Sequence, residues 1–128
     1  MIYIAKITHE EINKIKNSRN YYHQDGECDF YEYDSSNCTY HLEIGDIIYL
    51  LDEESKNLKY KTIVTEVKET SVILLLSIYI SSQSVFDVRS KIATVDENVE
   101  SFLKEKIDRL PGNGYSLSAI KYLKENNM

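Results

Sequence analysis

The chain has 128 residues and a mass of 14.9 kDa, so residues 1–128 are expected to form one domain around one hydrophobic core. Hydrophobic residues make up 42% of the chain and charged residues 28%, which excludes a disordered protein, and the single proline and four glycines exclude a collagen-like one. The formal net charge is −6, and the longest apolar run, residues 72–80, is far shorter than the roughly 20 residues that a membrane-spanning helix needs. With no secretion signal at the N-terminus and two cysteines expected to be reduced thiols, the sequence predicts a cytoplasmic protein without a membrane partner.

The first predicted elements are a strand and a helix. Residues 2–7 are rich in isoleucine and predict a short strand. Thr8 followed by Glu11 is a capping box, which predicts a helix that continues to about Arg19. Residues 20–40 show no sustained period and contain six aromatic rings, so they predict a long loop that is functional or partly ordered into short strands.

Three consecutive strands are predicted in the middle of the chain. Gly45-Asp46 predicts a turn before a strand that ends at Leu51. Residues 58–68 and 71–80 predict an antiparallel hairpin. Both alternating faces of its second strand are apolar, which favours a strand covered on both sides, as in a closed barrel with helices outside.

The C-terminal third predicts one further strand and two helices. Residues 85–93 favour a strand. Thr94 with Glu97 is a second capping box, and apolar residues at helical spacing follow it until Pro111 ends the helix. Ser116 predicts the cap of a terminal helix. The apolar residues that recur on one face of this helix are Leu117, Ile120 and Leu123.

Charge is unevenly distributed along the chain. Residues 20–55 contain ten acidic residues and no lysine or arginine, which gives them a net charge of −10. Such a segment opposes non-specific binding to nucleic acid, because that affinity depends on basic side chains around the phosphates. The densest basic strip consists of Lys56, Lys59, Lys61 and Lys68. It favours either a local contact with phosphates or the solvated charged edge of an exposed strand.

Three segments carry a family resemblance. They are Leu42-Glu43-Ile44-Gly45-Asp46-Ile47-Ile48-Tyr49-Leu50, then Lys59-Tyr60-Lys61-Thr62-Ile63-Val64-Thr65-Glu66-Val67, and the C-terminal segment Pro111 to Leu123. In this order they are similar to the PUA-like superfamily, with the EVE domain as the most similar branch. The resemblance implies an α+β fold, a small mixed β-barrel of about five to six strands with peripheral helices. It also implies a non-catalytic nucleic-acid-binding module that holds a flipped, often modified, base without a cofactor.

The resemblance also implies which residues form the pocket. Tyr21 or Tyr22 would replace the family's tryptophan as the stacking face, since the chain has no Trp. Asn37 would read the edge of the base, because an extruded base is held by stacking and by hydrogen bonds to its edge. The expected ligand-binding residues are Tyr21, Tyr22, Ser36, Asn37, Tyr40, Tyr49, Tyr79, Lys59 and Lys61. The alternative for each tyrosine is a ring half buried at the rim of the barrel.

Two other classes of function stay open. The acidic segment 25–34, with its tyrosine and phenylalanine rings, would steer a basic protein partner, as an interaction or inhibitor protein does. A small ribonuclease-like hydrolase would use His9, His23 and His41 as acid–base residues, or a Cys38–His41 pair. The sequence shows no third group that orients either set, so no catalytic residue is predicted.

One set of side chains has the chemistry of a metal site. His23, Cys28, Cys38 and His41 provide two imidazoles and two thiols, which are competent zinc ligands. Their spacing lacks the close pair of cysteines that is typical of zinc sites. The alternative is two reduced thiols and two unrelated imidazoles, and no metal is predicted.

Overall fold

The computed structural model describes residues 1–18, 29–80, 82–83 and 89–128. The chain forms an α+β fold built on one mixed sheet. Its strands are β1 (Ile2–Ile7), β2 (Phe30–Asp34), β3 (Ile47–Asp52), β4 (Asn57–Val67), β5 (Ser71–Leu76), β6 (Ser82–Gln83) and β7 (Ile92–Thr94). Six of them follow the order β2-β5-β4-β3-β1-β7, and β6 pairs with β4. The pairing of β1 with β3 is parallel, and the other pairs are antiparallel.

In the described part of the chain, three α-helices accompany the sheet, and they are α1 (His9–Ser18), α2 (Glu97–Leu103) and α3 (Leu117–Glu125). A π-helical turn, Lys104–Asp108, continues α2, and the turn Pro111–Gly114 leads into α3. Gly112 in this turn has a φ of +64°, and a β-carbon there would lie 2.5 Å from Ile120 Cδ1. A glycine therefore lets the turn pass close to α3.

Hydrophobic side chains cover both faces of the sheet. Successive residues of β3 contribute to opposite faces. Ile48 and Leu50 belong to the core under α1, whereas Tyr49 and Leu51 belong to the core under α2. A third cluster joins Leu75 of β5 to α3. The central strands are buried on both sides, and so the predicted two-sided burial of the strand that begins at residue 71 is confirmed.

The α+β class is confirmed, and the sheet is open rather than closed in the part of the chain that the structure describes. Within those residues, no pairing joins the terminal strands β2 and β7. A closed barrel needs that last ladder of hydrogen bonds. The barrel and the PUA-like fold therefore stay predictions.

The local signals at two helix starts are confirmed. The backbone N–H of Glu11 donates to Thr8 Oγ1 over 3.1 Å, as the capping box predicts. The N–H of Ala119 donates to Ser116 Oγ over 3.1 Å, so Ser116 caps α3. The apolar stripe of α3 is confirmed for Ile120 and Leu123, which pack against the cluster of Leu75, but Leu117 is 71% exposed and Ala119 is buried in that cluster.

Two predicted boundaries are wrong. The strand predicted to reach Ile80 ends at Leu76, where the side chain of Ser77 accepts from the N–H of Lys61 and Ile78 donates to Gly114 O. These bonds replace the regular ladder. Only part of the strand predicted at 85–93 lies among the described residues, and there the strand is β7, which ends at Thr94.

The N-terminus of α2 therefore has a different cap from the predicted one. Thr94 is extended, and Asp96 precedes the helix with its Oδ1 accepting from the N–H of Val99 over 2.9 Å. Because a carboxylate at this position also interacts favourably with the helix dipole, Asp96 is the better cap.

Replacing the cap gives a direct test of this assignment. We expect Asp96→Ala to lower the free energy of unfolding by about 1 kcal/mol, since it removes the cap of α2. Thr94→Ala is the matched control and is expected to change it by less than about 0.5 kcal/mol. Urea unfolding followed by circular dichroism measures both, and equal losses for the two variants would contradict the assignment.

Candidate ligand-binding cleft

A cleft of about 590 Å³ opens where β1 ends and α1 begins, beside β2. Its lining combines aliphatic, aromatic and charged side chains. The lining residues are Lys6, Ile7, Thr8, Glu11, Tyr31, Glu32, Tyr33, Asp34, Glu53 and Lys91. A concave site of this size, with a few converging polar groups, is typical of small-molecule binding.

The parallel pairing of β1 with β3 creates this edge of the sheet. Ile7 is the register partner of Asp52, so both strands end at the same level. The N–H of Glu53 donates to Ile7 O over 2.9 Å and continues the pairing by one more residue. Polar residues that directly follow two strands are thus brought together, which is where ligands bind in sheets with parallel strands.

Two tyrosines of β2 provide the aromatic part of the cleft. The hydroxyl of Tyr31 donates to Glu11 Oε2 over 3.2 Å, which joins β2 to the first turn of α1. Burial, together with the charge of Glu11, raises the pKa of Tyr31 well above its ordinary value of 10.0. Burial also raises the pKa of Tyr33 to about 12. Both phenols are therefore neutral at physiological pH.

The charges around the cleft are predominantly negative. Among the residues that the structure describes, its lining contains four carboxylates and two ammonium groups, a formal sum of −2. One ammonium, that of Lys6, donates to Arg89 O over 3.1 Å. Hydrogen bonds from the side chain and backbone of Ser36 hold the pKa of Asp34 below its ordinary value, so this carboxylate is ionised at neutral pH. The cleft is therefore suited to a neutral or cationic polar molecule rather than to a phosphate.

A histidine and a buried aspartate lie next to the cleft, directly after Thr8 and before Glu53. His9 Nδ1 and Asp52 Oδ2 are 2.7 Å apart. The side chain of Asp52 is fully buried, while that of His9 is 48% exposed. The other carboxylate oxygen of Asp52 accepts from the N–H groups of Glu54 and Ser55 over 2.9 and 3.3 Å. Asp52 is therefore held in place and orients one nitrogen of His9.

The two groups shift each other's protonation. The hydrogen bond to Asp52 raises the pKa of His9 above 6.5, although partial burial and the charge of Lys59 act in the opposite direction. Burial alone would raise the pKa of Asp52, but the hydrogen bonds from His9 and from the backbone hold it below 3.8. At roughly pH 5 to 6, which lies between these two limits, His9 is therefore favoured as the imidazolium and Asp52 as the carboxylate.

The sequence interpretation missed this pair. His9 was included in an acid–base set, but no group that orients it was identified. The structure provides this group in Asp52, 43 residues along the chain. The only signal in the sequence is that each residue lies within two positions after a predicted strand, and the parallel pairing that joins the two strands is not predicted.

The expected pocket residues lie in several places. Tyr21 and Tyr22 are outside the described residues. Ser36 and Asn37 are exposed in the turn after β2, where Ser36 Oγ donates to Asp34 Oδ1 over 2.6 Å. Tyr40 is half buried, and its ring packs against Tyr3 with the centroids 5.2 Å apart. None of these described residues lines the cleft.

The remaining expected residues belong to β3, β4 and the segment after β5. Tyr49 is only 2% exposed and is part of the core under α2. Lys61 Nζ lies 5.9 Å from the ring centroid of Tyr115. Lys59 Nζ donates to the hydroxyl of Tyr79 over 3.1 Å, so these two expected residues are in contact. The structure thus joins Lys59 to Tyr79 and places Tyr49 opposite Lys61 in the β3–β4 ladder, whereas Ser36, Asn37 and Tyr40 lie elsewhere.

The basic strip is not the solvated edge of an exposed strand. Its central members Lys59 and Lys61 are each 8% exposed, because β4 lies between β3 and β5. Lys68, at the end of the strand, forms an ion pair of 3.2 Å with Glu32. The edge-strand interpretation is therefore wrong for the two central lysines.

Only half of the expected metal-ligand set is described. His23 and Cys28 are outside the described residues. Cys38 is a free thiol whose Sγ donates to Tyr40 O over 3.5 Å, and His41 has an 88% exposed side chain. Asp25 and Glu27 of the acidic segment are also outside the described residues, so the expected protein-binding surface stays a prediction.

Comparisons with protein-family models, with curated proteins and with solved structures find no match to this chain. The resemblance to PUA-like proteins therefore stays an interpretation of the sequence. In residues 1–18, 29–80, 82–83 and 89–128, no helix is both long and apolar enough to cross a membrane.

The ion pair beside the cleft predicts a pH dependence of stability. A raised pKa of His9 means that its contribution is complete below pH 6.5 and is lost as the pH rises through the folded-state pKa. A lowered pKa of Asp52 means that its contribution is complete above pH 3.8 and is lost as the pH falls through its folded-state pKa. We therefore expect His9→Gln to destabilise the protein more at about pH 5 than at about pH 8.5.

Chemical unfolding at the two pH values measures this difference. His41→Gln is the control, because it removes a histidine whose side chain is 88% exposed. An NMR titration of the His9 ring should also show a midpoint that falls in Asp52→Asn. A destabilisation by His9→Gln that is the same at both pH values would contradict the ion pair.

Proposed function

We propose that this protein is a non-catalytic binding module for a nucleobase-sized heterocycle, and that the cleft beside β1, α1 and β2 holds it. The observation that carries the proposal is the lining of the 590 Å³ cleft, where aromatic and aliphatic side chains lie next to fixed hydrogen-bonding groups. This proposal keeps the base-binding function inferred from the resemblance. It places the ligand beside Tyr31 rather than beside residues 36–49.

A planar heterocycle matches the groups that the cleft presents. Ile7 and the rings of Tyr31 and Tyr33 provide an apolar surface against which a flat ring packs. The Glu11 carboxylate accepts a hydrogen bond from Tyr31 and has further lone pairs for the amino or imino groups of a base edge. Lys91 and Lys6 offer donors for carbonyl oxygens. Stacking and edge recognition are thus both available within one site.

The negative charge of the lining determines which part of a nucleotide the cleft would accept. The four carboxylates and two lysines of the described lining disfavour phosphates inside the cleft, whereas an uncharged base has no such penalty. A base that is extruded from a strand, or a free nucleoside, therefore fits better than a nucleic-acid backbone. Within the PUA-like interpretation, the cleft would be the place where a flipped base is held.

A titration with free nucleosides tests the proposal. Heteronuclear NMR with adenosine, guanosine, cytidine, uridine and their methylated forms should give saturable shifts at Thr8, Tyr31 and Lys91. Glu11→Ala should weaken the binding by about tenfold, because hydrogen bonds to a charged group contribute roughly 1.5–3 kcal/mol. Glu10→Ala is the matched control, since Glu10 is in the same helical turn with an 81% exposed side chain and does not line the cleft.

The titration has one outcome that supports the proposal and two that refute it. Shifts at the cleft that Glu11→Ala reduces and Glu10→Ala leaves within about twofold would support the proposal. The absence of saturable shifts with every nucleoside, or equal effects of the two variants, would refute it.

A small hydrolase is the second candidate, and the His9–Asp52 pair favours it. A carboxylate that orients imidazole is the usual arrangement for a general base. The imidazole would accept a proton from water as the water oxygen attacks the substrate, and would return the proton to the leaving group. Because the imidazole must be neutral to act as a base, activity should rise with pH through the pKa of His9.

Cleavage of a labelled oligoribonucleotide tests this second function. If His9 acts as the base, His9→Gln should reduce turnover by a factor of about 100 or more. Asp52→Asn should reduce it as well and shift the pH profile, while nucleoside binding at the cleft persists. Turnover that survives in His9→Gln, or no turnover in the wild type above a mock preparation, would exclude the His9 mechanism.

A further inference from the structure

Two lysines converge on one tyrosine ring away from the cleft lining. Lys16 Nζ of α1 lies 4.7 Å from the ring centroid of Tyr79, and Lys59 Nζ of β4 lies 5.3 Å from it. Lys59 also donates to the Tyr79 hydroxyl over 3.1 Å. We call Lys16, Lys59 and Tyr79 the lysine–tyrosine site. Two basic side chains thus approach the same phenol in a chain whose net charge is −6.

The burial of Lys59 is the unusual feature of this site. The residue is 8% exposed, and lysines that are this buried are normally paired with a carboxylate. Neither Lys59 nor Lys16 forms an ion pair with a carboxylate among the residues that the structure describes. An ammonium has three donors, and Tyr79 accepts from one of them. The ammonium of Lys59 is removed from water and has further N–H donors, and these two properties favour an anionic ligand.

The backbone around the site holds these groups in place. Lys59 is the extra residue of a bulge, because Leu50 pairs with Tyr60 whereas Leu51 pairs with Leu58. The bulge changes the direction of the Lys59 side chain relative to its neighbours in β4. Ile80, which follows Tyr79, donates its N–H to Lys59 O over 2.7 Å. The segment that carries the ring is thereby bound to the strand that carries the ammonium.

The ring of Tyr79 is also fixed by a second aromatic contact. Tyr60 approaches it edge-on, with the centroids 5.7 Å apart and the planes at 72°. The Tyr79 hydroxyl accepts from Lys59 and still has its own hydrogen to donate. The site therefore presents two positive charges and a hydroxyl donor in a preorganised arrangement.

We propose that the lysine–tyrosine site binds a phosphate group. Phosphate carries a charge of about −1.5 to −2 at pH 7, which matches two ammonium groups, whereas a carboxylate would neutralise only one. Its tetrahedral oxygens accept from donors in different directions, as the ammonium groups and the phenol require. This proposal does not depend on base binding at the cleft, because no residue of the site lines the cleft.

Inorganic phosphate is the first probe. In a titration at constant ionic strength, NMR signals of Lys16, Lys59 and Tyr79 should shift and saturate. Lys16→Met should weaken binding by about tenfold, which corresponds to about 1.4 kcal/mol. Lys14→Met is the matched control, because Lys14 is on the same helix with a 65% exposed side chain that pairs with Glu10 and Glu11. It should change the affinity by less than about twofold.

Two further variants protect the test against a folding artefact. Lys59→Met replaces the buried charge with an apolar side chain of similar length, which a buried position tolerates, and it should abolish saturable phosphate binding. Tyr79→Phe keeps the ring and removes only the hydroxyl, so it should weaken binding while the spectrum stays folded. Equal losses in Lys14→Met and Lys16→Met, or no saturable shift in the wild type, would overturn the proposal.

The source of the phosphate is distinguished by two more probes. A nucleoside monophosphate and a short single-stranded oligonucleotide are titrated under the same conditions. Tighter binding of the monophosphate would identify a small phosphorylated ligand, and tighter binding of the oligonucleotide would identify a nucleic-acid backbone. In both cases the gain should disappear in Lys16→Met and persist in the control Lys14→Met.

Discussion

The parallel pairing of β1 with β3 is the constraint on which the candidate sites depend. Because Ile7 and Asp52 are register partners, the residues that follow the two strands meet at one edge of the sheet. His9 thereby reaches Asp52, and Thr8 and Glu53 line the same cleft. A slip of one residue would reverse the orientation of the side chains, which would remove Asp52 from His9 and exchange the residues that β3 contributes to the two cores.

Two-sided burial of the central strands explains why the basic residues are not on the surface. β4 pairs with β3 and β5, and its faces are covered by the cores under α1, α2 and α3. Lys59 and Lys61 therefore lie along aromatic rings instead of in solvent. The bulge next to Leu51 gives Lys59 its direction toward Tyr79. The two lysines that would belong to a charged strand edge in the sequence interpretation therefore lie in the interior of the sheet.

The two candidate sites carry charges of opposite sign, and both include a residue of α1. The cleft has an excess of carboxylates and includes Glu11 of α1, whereas the lysine–tyrosine site includes Lys16 of the same helix. The charge of Lys59 also acts on His9 and lowers its pKa against the larger effect of Asp52. A binding event at either site would therefore be felt electrostatically at His9.

The sequence by itself determined the features that depend on near neighbours. These are β1, the caps at Thr8 and Ser116 and the hairpin of β4 and β5, because β-branched runs, capping residues and turns act within a few residues. Only the tertiary structure decided which distant residues meet. The pairing of His9 with Asp52 and the burial of Lys59 beside Tyr79 follow from strand order, register and a bulge, and these depend on packing between segments far apart in the chain.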